Sequence, residues 1–183
     1  MDVYRYLIFP RKQLTDLKTE YWIKEVVFNF HWWLMILFLI VPWIFWWRKV
    51  DKGRIREITL HGFFVLIFSS LLDNIGSQLN LWVYTSILTP ISQRFEPYDY
   101  SVLPVLYMLI YQKYPKWKLF IIAQFIISAI FSFVLEPLTV YLDIYILINW
   151  RYGYSFIIYP IIGILSKMIN NKLNRIEGIN NIR

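Results

Sequence analysis

The chain has no cysteine, two histidines and six glycines in 183 residues. Without cysteine there is no disulfide framework, no thiolate nucleophile and no thiol-ligated metal. His31 and His61 lie far apart in sequence, so neither a metal site nor a cofactor is expected. Acidic residues are few, 12 against 19 basic ones. The resulting charge of +7 would suit a nucleic-acid partner only if it were gathered into one patch. Instead the basic residues form short clusters between apolar runs, and no nucleic-acid partner is expected.

What the chain does have is apolar surface: 58% of its residues are hydrophobic and 20% aromatic. A soluble domain of this length needs more polar residues to cover itself. The composition predicts an all-α integral membrane bundle with the lipid bilayer as its first partner.

Five apolar stretches stand out, at about 29–47, 57–84, 98–112, 117–148 and 152–168. A spanning helix needs about 20 residues, so the third and fifth are short and are expected to borrow from the loops before them. Trp32-Trp33 and Trp46-Trp47 bracket the first stretch as interfacial anchors. Residues 1–28 carry no signal-peptide-like apolar core; Leu14, Leu17, Tyr21 and Trp22 share one face and predict a helix lying in the interface. The expected organisation is an interfacial segment (1–28), a transmembrane bundle (29–169) and a cytoplasmic tail (170–183).

Charge predicts orientation. Arg48, Lys49, Lys52, Arg54 and Arg56 follow the first stretch, Lys113, Lys116 and Lys118 the third, and Lys167, Lys172, Arg175 and Arg183 the fifth. The alternate loops hold only Arg94 and Arg151. By the positive-inside rule the N-terminus is outside and the C-terminus in the cytoplasm of a cell-membrane protein. The five basic residues of the N-terminal segment, offset by four acids, are the one feature against this.

Two segments look like copies. Ser69-Ser70-Leu71-Leu72-Asp73 aligns with Ser132-Phe133-Val134-Leu135-Glu136, and, without a gap, Leu79-Asn80-Leu81-Trp82 with Leu142-Asp143-Ile144-Tyr145. Tyr98-Asp99-Tyr100-Ser101 and Tyr152-Gly153-Tyr154-Ser155 then open the two returning helices. The pattern predicts a parallel tandem repeat of two hairpins.

Each rising helix carries a polar stripe at three- and four-residue spacing: Ser69, Asp73, Gly76, Ser77 and Asn80 in one, Gln124, Ser128, Ser132, Glu136, Thr139 and Asp143 in the other. Stripes of this kind face the bundle interior. Asp73 and Glu136 are the candidate catalytic acids. Two carboxyls in one apolar cavity do not both stay charged without a cation, so at least one is expected to hold a proton at neutral pH. The competing reading is helix–helix hydrogen bonding by the same residues. Ser69, Asn80, Trp82, Tyr84, Asp99, Ser132 and Thr139 are the candidate ligand-binding residues, though packing explains the serines and Thr139, an aromatic belt Trp82 and Tyr84, and a helix cap Asp99. The sequence thus allows a non-catalytic protein binding a small hydrophobic molecule or lipid, or an enzyme. It is silent on the oligomeric state.

The strings Val41-Pro42-Trp43 through Trp46-Trp47, Asp73, Leu81-Trp82-Val83-Tyr84, Ser101 through Gln112 and Phe133 through Leu138 resemble a family of small five-helix membrane proteins from spore-forming Gram-positive bacteria. That resemblance implies a fold and brings no activity with it. The order Asp73, Trp82, Tyr84, Asp99 is more weakly similar to heterodimeric-type lycopene cyclase domains and AveC-type spirocyclases. That likeness implies an isoprenoid cyclase whose buried acids protonate an alkene or epoxide. Where the lycopene cyclases place paired acids beside a proline, this chain has Pro97-Tyr98-Asp99.

Overall fold

A computed structural model describes residues 3–92, 94–176 and 178. The described residues form six helices and one very short two-stranded ladder. Helix α1 covers 4–26, as contiguous pieces Tyr4–Ile8, Phe9–Tyr21 and Trp22–Val26, and α2 covers Phe30–Lys49. Then come α3 (Ile55–Gln78), β1 (Trp82–Tyr84), α4 (98–113), α5 (Trp117–Tyr141), β2 (Tyr145–Leu147) and α6 (Tyr152–Ile176).

The helices start and bend for local reasons. Asn29 caps α2 by accepting the Trp32 backbone N–H at 2.8 Å. Three wide turns, Tyr4–Ile8, Tyr98–Val102 and Phe131–Leu135, each end two residues before a proline: Pro10, Pro104 and Pro137. Proline lacks an N–H, and its ring crowds the carbonyl one turn back, so the preceding turn opens. The last two of these turns flank the site described below.

Helix α3 packs on α4 and α6, α5 packs on α6, and α2 lies across the wide turn of α4. Tryptophan indoles stitch the first two helices to the rest. Trp22, Trp32 and Trp43 donate to the carbonyls of Ile87, Leu88 and Tyr100. One apolar layer, around Trp46, Ile58, Met108, Tyr111 and Phe120, fills the end nearest the 50–54 and 114–116 loops. A second layer, Val65, Leu103, Tyr107, Phe131 and Ile162, crosses the middle of the bundle.

Four helical stretches are long and apolar enough to cross a membrane: Phe30–Lys49, Lys52–Gln78, Trp117–Tyr141 and Tyr152–Ile176. Large apolar side chains cover their outer faces, among them Phe38, Phe45, Phe63, Ile126, Phe133 and Ile161. The five expected stretches differ from the helices in three ways. The second and fourth end early, at Gln78 and Tyr141, because the chain turns into β1 and β2. The fifth is not short. It continues to Ile176, since Asn170 and Asn174, placed by the sequence in a tail, are buried and donate to the Glu57 carbonyl and carboxylate. The third keeps its short length at 98–113 and is not among the four long apolar helices. Arg183 lies outside the described residues.

The turns after α3 and α5 are equivalent, at a constant offset along the chain. Asn80 and Asp143 both adopt φ 53°, the left-handed region in which Asn and Asp are the best tolerated residues after glycine. Leu81 N–H bonds to Gly76 O and Ile144 N–H to Thr139 O, each at 3.0 Å. The strands β1 and β2 pair antiparallel with Val83 opposite Ile146, so that each half meets its own counterpart. Thr85 N–H bonds to Ile144 O, and Ile148 N–H bonds reciprocally to Leu81 O. The two turns and their strands are therefore related by a local two-fold axis at the strand pair.

The opposite end is closed by Lys167. Its Nζ donates to the carbonyls of Tyr114 (3.2 Å) and Pro115 (2.9 Å) and lies 4.1 Å from the Phe120 ring centre. It is a buried clamp. Lys167→Met keeps most of the stem but leaves two carbonyls without their donor. We expect a loss of about 2 kcal/mol, read as a lowered melting midpoint in mild detergent.

Candidate functional site

A cavity of about 480 Å³ lies on the strand-pair side of the middle apolar layer, with Phe131 and Ile162 of that layer in its wall. Residues from α2 (Leu34, Met35, Phe38), α3, α4, α5, α6 and both strands line it. The wall is mainly apolar and aromatic, and it holds three carboxyl groups: Asp73, Asp99 and Glu136.

Asp73 comes from α3, one turn after the buried Ser69. Its Oδ1 accepts the Trp82 indole N–H at 2.9 Å and the Tyr84 hydroxyl at 2.7 Å. Strand β1 places both donors, and Gly76 makes room for them. A Cβ on Gly76 would stand 2.1 Å from Cη2 of Trp82, so only glycine lets that ring lie flat on α3. The other oxygen of Asp73, Oδ2, is buried and has no donor among the described residues.

Asp99 sits in the wide turn of α4 and is 3% exposed. Its carboxyl adjoins that of Asp73 and faces Ser69, and its Oδ2 also has no donor. The charge of Arg94 reaches Asp99 from the loop, but the Arg94 guanidinium itself bonds to the Tyr100 hydroxyl at 2.9 Å.

Glu136 opens the last stretch of α5, next to Pro137. Its Oε1 accepts the Tyr159 hydroxyl at 2.5 Å and its Oε2 the Ser155 hydroxyl at 3.0 Å. Ser155 in turn accepts the Trp150 indole N–H at 2.8 Å. Trp150 meets Trp82 edge to face at 4.9 Å, and Tyr84 stacks on Tyr145 at 5.2 Å. Each acid thus has its own hydroxyl donor, and the two assemblies touch through their rings. Burial pushes the phenols of Tyr84 and Tyr145, both on the strands, well above the ordinary tyrosine range. Tyr84 therefore remains a proton donor to Asp73 over the whole physiological range.

The acids expected from the two polar stripes, Asp73 and Glu136, do face one cavity. The carboxyl beside Asp73, however, belongs to Asp99. Among the described residues no three acidic or histidine side chains are placed to hold a metal ion. Ser69, Trp82, Tyr84 and Thr139 also line the cavity. Thr139 Oγ1 is used locally, donating to Glu136 O at 2.8 Å. Asn80 is exposed in its left-handed turn, away from the cavity, because its backbone role ends α3. Ser132 is fully buried outside the lining, with no partner for its Oγ among the described residues.

The sequence reading passed over Tyr98, Tyr145, Trp150, Ser155 and Tyr159. The repeat carried a signal for two of them. Tyr145 is the counterpart of Trp82, and Ser155 closes the second Tyr-x-Tyr-Ser string. Trp150 and Tyr159 reach Glu136 only through the fold of α5 onto α6, which no local spacing announces.

Comparison of the chain with protein-family models, curated proteins and solved structures gave no match. The chemistry of the site therefore rests on its own geometry. Carboxyls in a dry aromatic chamber can hold the polar end of an apolar molecule. An adjoining carboxyl pair can also deliver a proton.

Proposed function

We propose that the protein is a multi-pass cell-membrane protein that binds a small hydrophobic molecule or lipid in the cavity of its outer half. The observation that carries this reading is the cavity itself. It has the size of a ligand pocket, a wall that is almost wholly apolar, and two buried carboxylate oxygens without protein donors. Five spans, with α4 as a short fifth supported by its neighbours, put the N-terminus outside and the cavity toward the outer face. The apolar outer surfaces of the long helices support lipid contact. A duplication of one hairpin accounts for the matched turns and the self-complementary strand pair.

The absence of cysteine makes the test simple, because single cysteines can be introduced without background. In intact cells, a membrane-impermeant maleimide should label a cysteine at Thr89 and spare one at Lys52. The reverse pattern overturns the orientation. A cysteine replacing Met35, buried in the cavity wall, should react slowly in gently purified protein and faster after delipidation. An unchanged rate contradicts an occupied cavity.

A second reading has one specific observation in its favour, the contact between Asp73 and Asp99. Two touching carboxyls in an apolar chamber share a proton, and such a pair could protonate an alkene or epoxide while the rings around it stabilise the cation formed. This is the chemistry of the cyclases that the sequence resembles. On this reading Asp99→Asn and Asp73→Asn abolish isomer formation from a supplied isoprenoid while Glu136→Gln retains part of it. Absence of any isomerised product with the wild-type chain sinks it.

A further inference from the structure

We infer that the cavity selects a lipophilic ammonium, a protonated amine carrying an apolar tail, over neutral or anionic molecules of the same shape. This rests on the binding reading above and names the ligand class for that site.

Three independent features of the chamber converge on a cation with N–H donors. The first is hydrogen-bond accounting. Asp73 Oδ1 accepts two protein donors while Asp73 Oδ2 and Asp99 Oδ2 accept none, although both residues are at least nine-tenths buried. Buried acceptors left empty are costly, and a group with two donors beside the pair satisfies both. An ammonium with several N–H groups does so, whereas a hydroxyl can serve only one.

The second is charge. Three carboxyls face the chamber, and no lysine or arginine is among the described residues lining it; His31 is the sole basic side chain there. Arg94 offsets Asp99 in part but is turned to Tyr100. An anionic headgroup would find no cation in the lining to pair with and would be repelled by whatever carboxylate charge the acids keep.

The third is the aromatic wall. Trp82, Tyr84, Tyr98, Tyr145, Trp150 and Tyr159 all contribute to the lining. Ring faces attract organic cations, most strongly when water is excluded. Beyond the acids the wall becomes aliphatic, with Leu34, Leu72 and Leu138, and supplies a place for the tail.

The test uses the full chain in nanodiscs of zwitterionic lipid and three twelve-carbon probes: dodecylamine, dodecanol and dodecanoate. Binding is read from tryptophan fluorescence and from the shift in melting midpoint. The amine should bind at least about tenfold more tightly than dodecanol, the scale of a hydrogen bond to a charged group, and dodecanoate should bind least. Asp99→Asn should remove most of that preference, weakening the amine far more than dodecanol. If Asp99→Asn does not fold, Asp73→Asn takes its place, and the three-probe comparison on the wild-type chain stands without either. Equal binding of dodecanol and the amine to the wild-type chain overturns the ammonium and leaves the apolar cavity reading intact. Failure of all three probes to bind overturns both.

Discussion

Gly76→Ala is expected to be among the most damaging single substitutions in the chain, although it adds one methyl group. The added carbon would lie 2.1, 2.3 and 2.8 Å from three atoms of the Trp82 ring, which cannot yield by rotating a flexible end. Either the ring leaves its place or α3 moves away from β1. In both cases Asp73 loses its indole donor, and the Trp82–Trp150 contact that joins the two acid assemblies opens. Overpacking of this kind costs about 1–3 kcal/mol, and loss of a donor to a buried carboxyl adds a similar amount. Gly62→Ala is the control. Its Cβ would also be too close, at 2.5 Å, but the neighbour is the flexible Met108 side chain, and a milder loss is expected. The mechanism has a sharper signature in a double-mutant cycle. In a Trp82→Ala background the Gly76→Ala change should cost little, because the ring it strikes is gone. Additive losses in melting free energy would show that Gly76 acts by some other route.

Phe120→Ala should separate stability from the cavity. Phe120 is fully buried, lies edge-on to His61 and Tyr111, and underlies the Lys167 ammonium. Its removal leaves a hole in the apolar layer at this end and strips the clamp of its ring, a loss of about 3–5 kcal/mol. The layer formed by Val65, Leu103, Tyr107, Phe131 and Ile162 stands between this end and the cavity. Probe affinity measured below the lowered melting point should therefore equal that of the wild-type chain. An affinity loss comparable to that of Gly76→Ala would mean that the two ends are coupled through the middle layer.

The parts of the fold legible in the sequence were those written in local pattern. The long apolar stretches marked α2, α3, α5 and most of α6. The polar stripes placed Asp73 and Glu136 on interior faces, and the repeated strings located the matched turns. What stayed hidden depends on contacts between distant segments. Helix α6 runs on through Asn170 and Asn174 because Glu57, more than a hundred residues earlier, accepts their amides. Asp99 was a candidate ligand-binding residue that a helix cap explained equally well, because its spacing says nothing of the wide turn before Pro104 that carries it to Asp73. Asn80, in phase with the stripe, was spent on a left-handed turn, since helical spacing ceases to apply once the helix has ended.

If the cavity around Asp73 and Asp99 binds an apolar molecule, native mass spectrometry of the full chain, released from mild detergent without a delipidating wash, should show a discrete small-molecule adduct on the wild-type chain that is absent from folded Gly76→Ala and diminished in Asp99→Asn. A bare wild-type chain, or an adduct retained equally by all three, would contradict that binding.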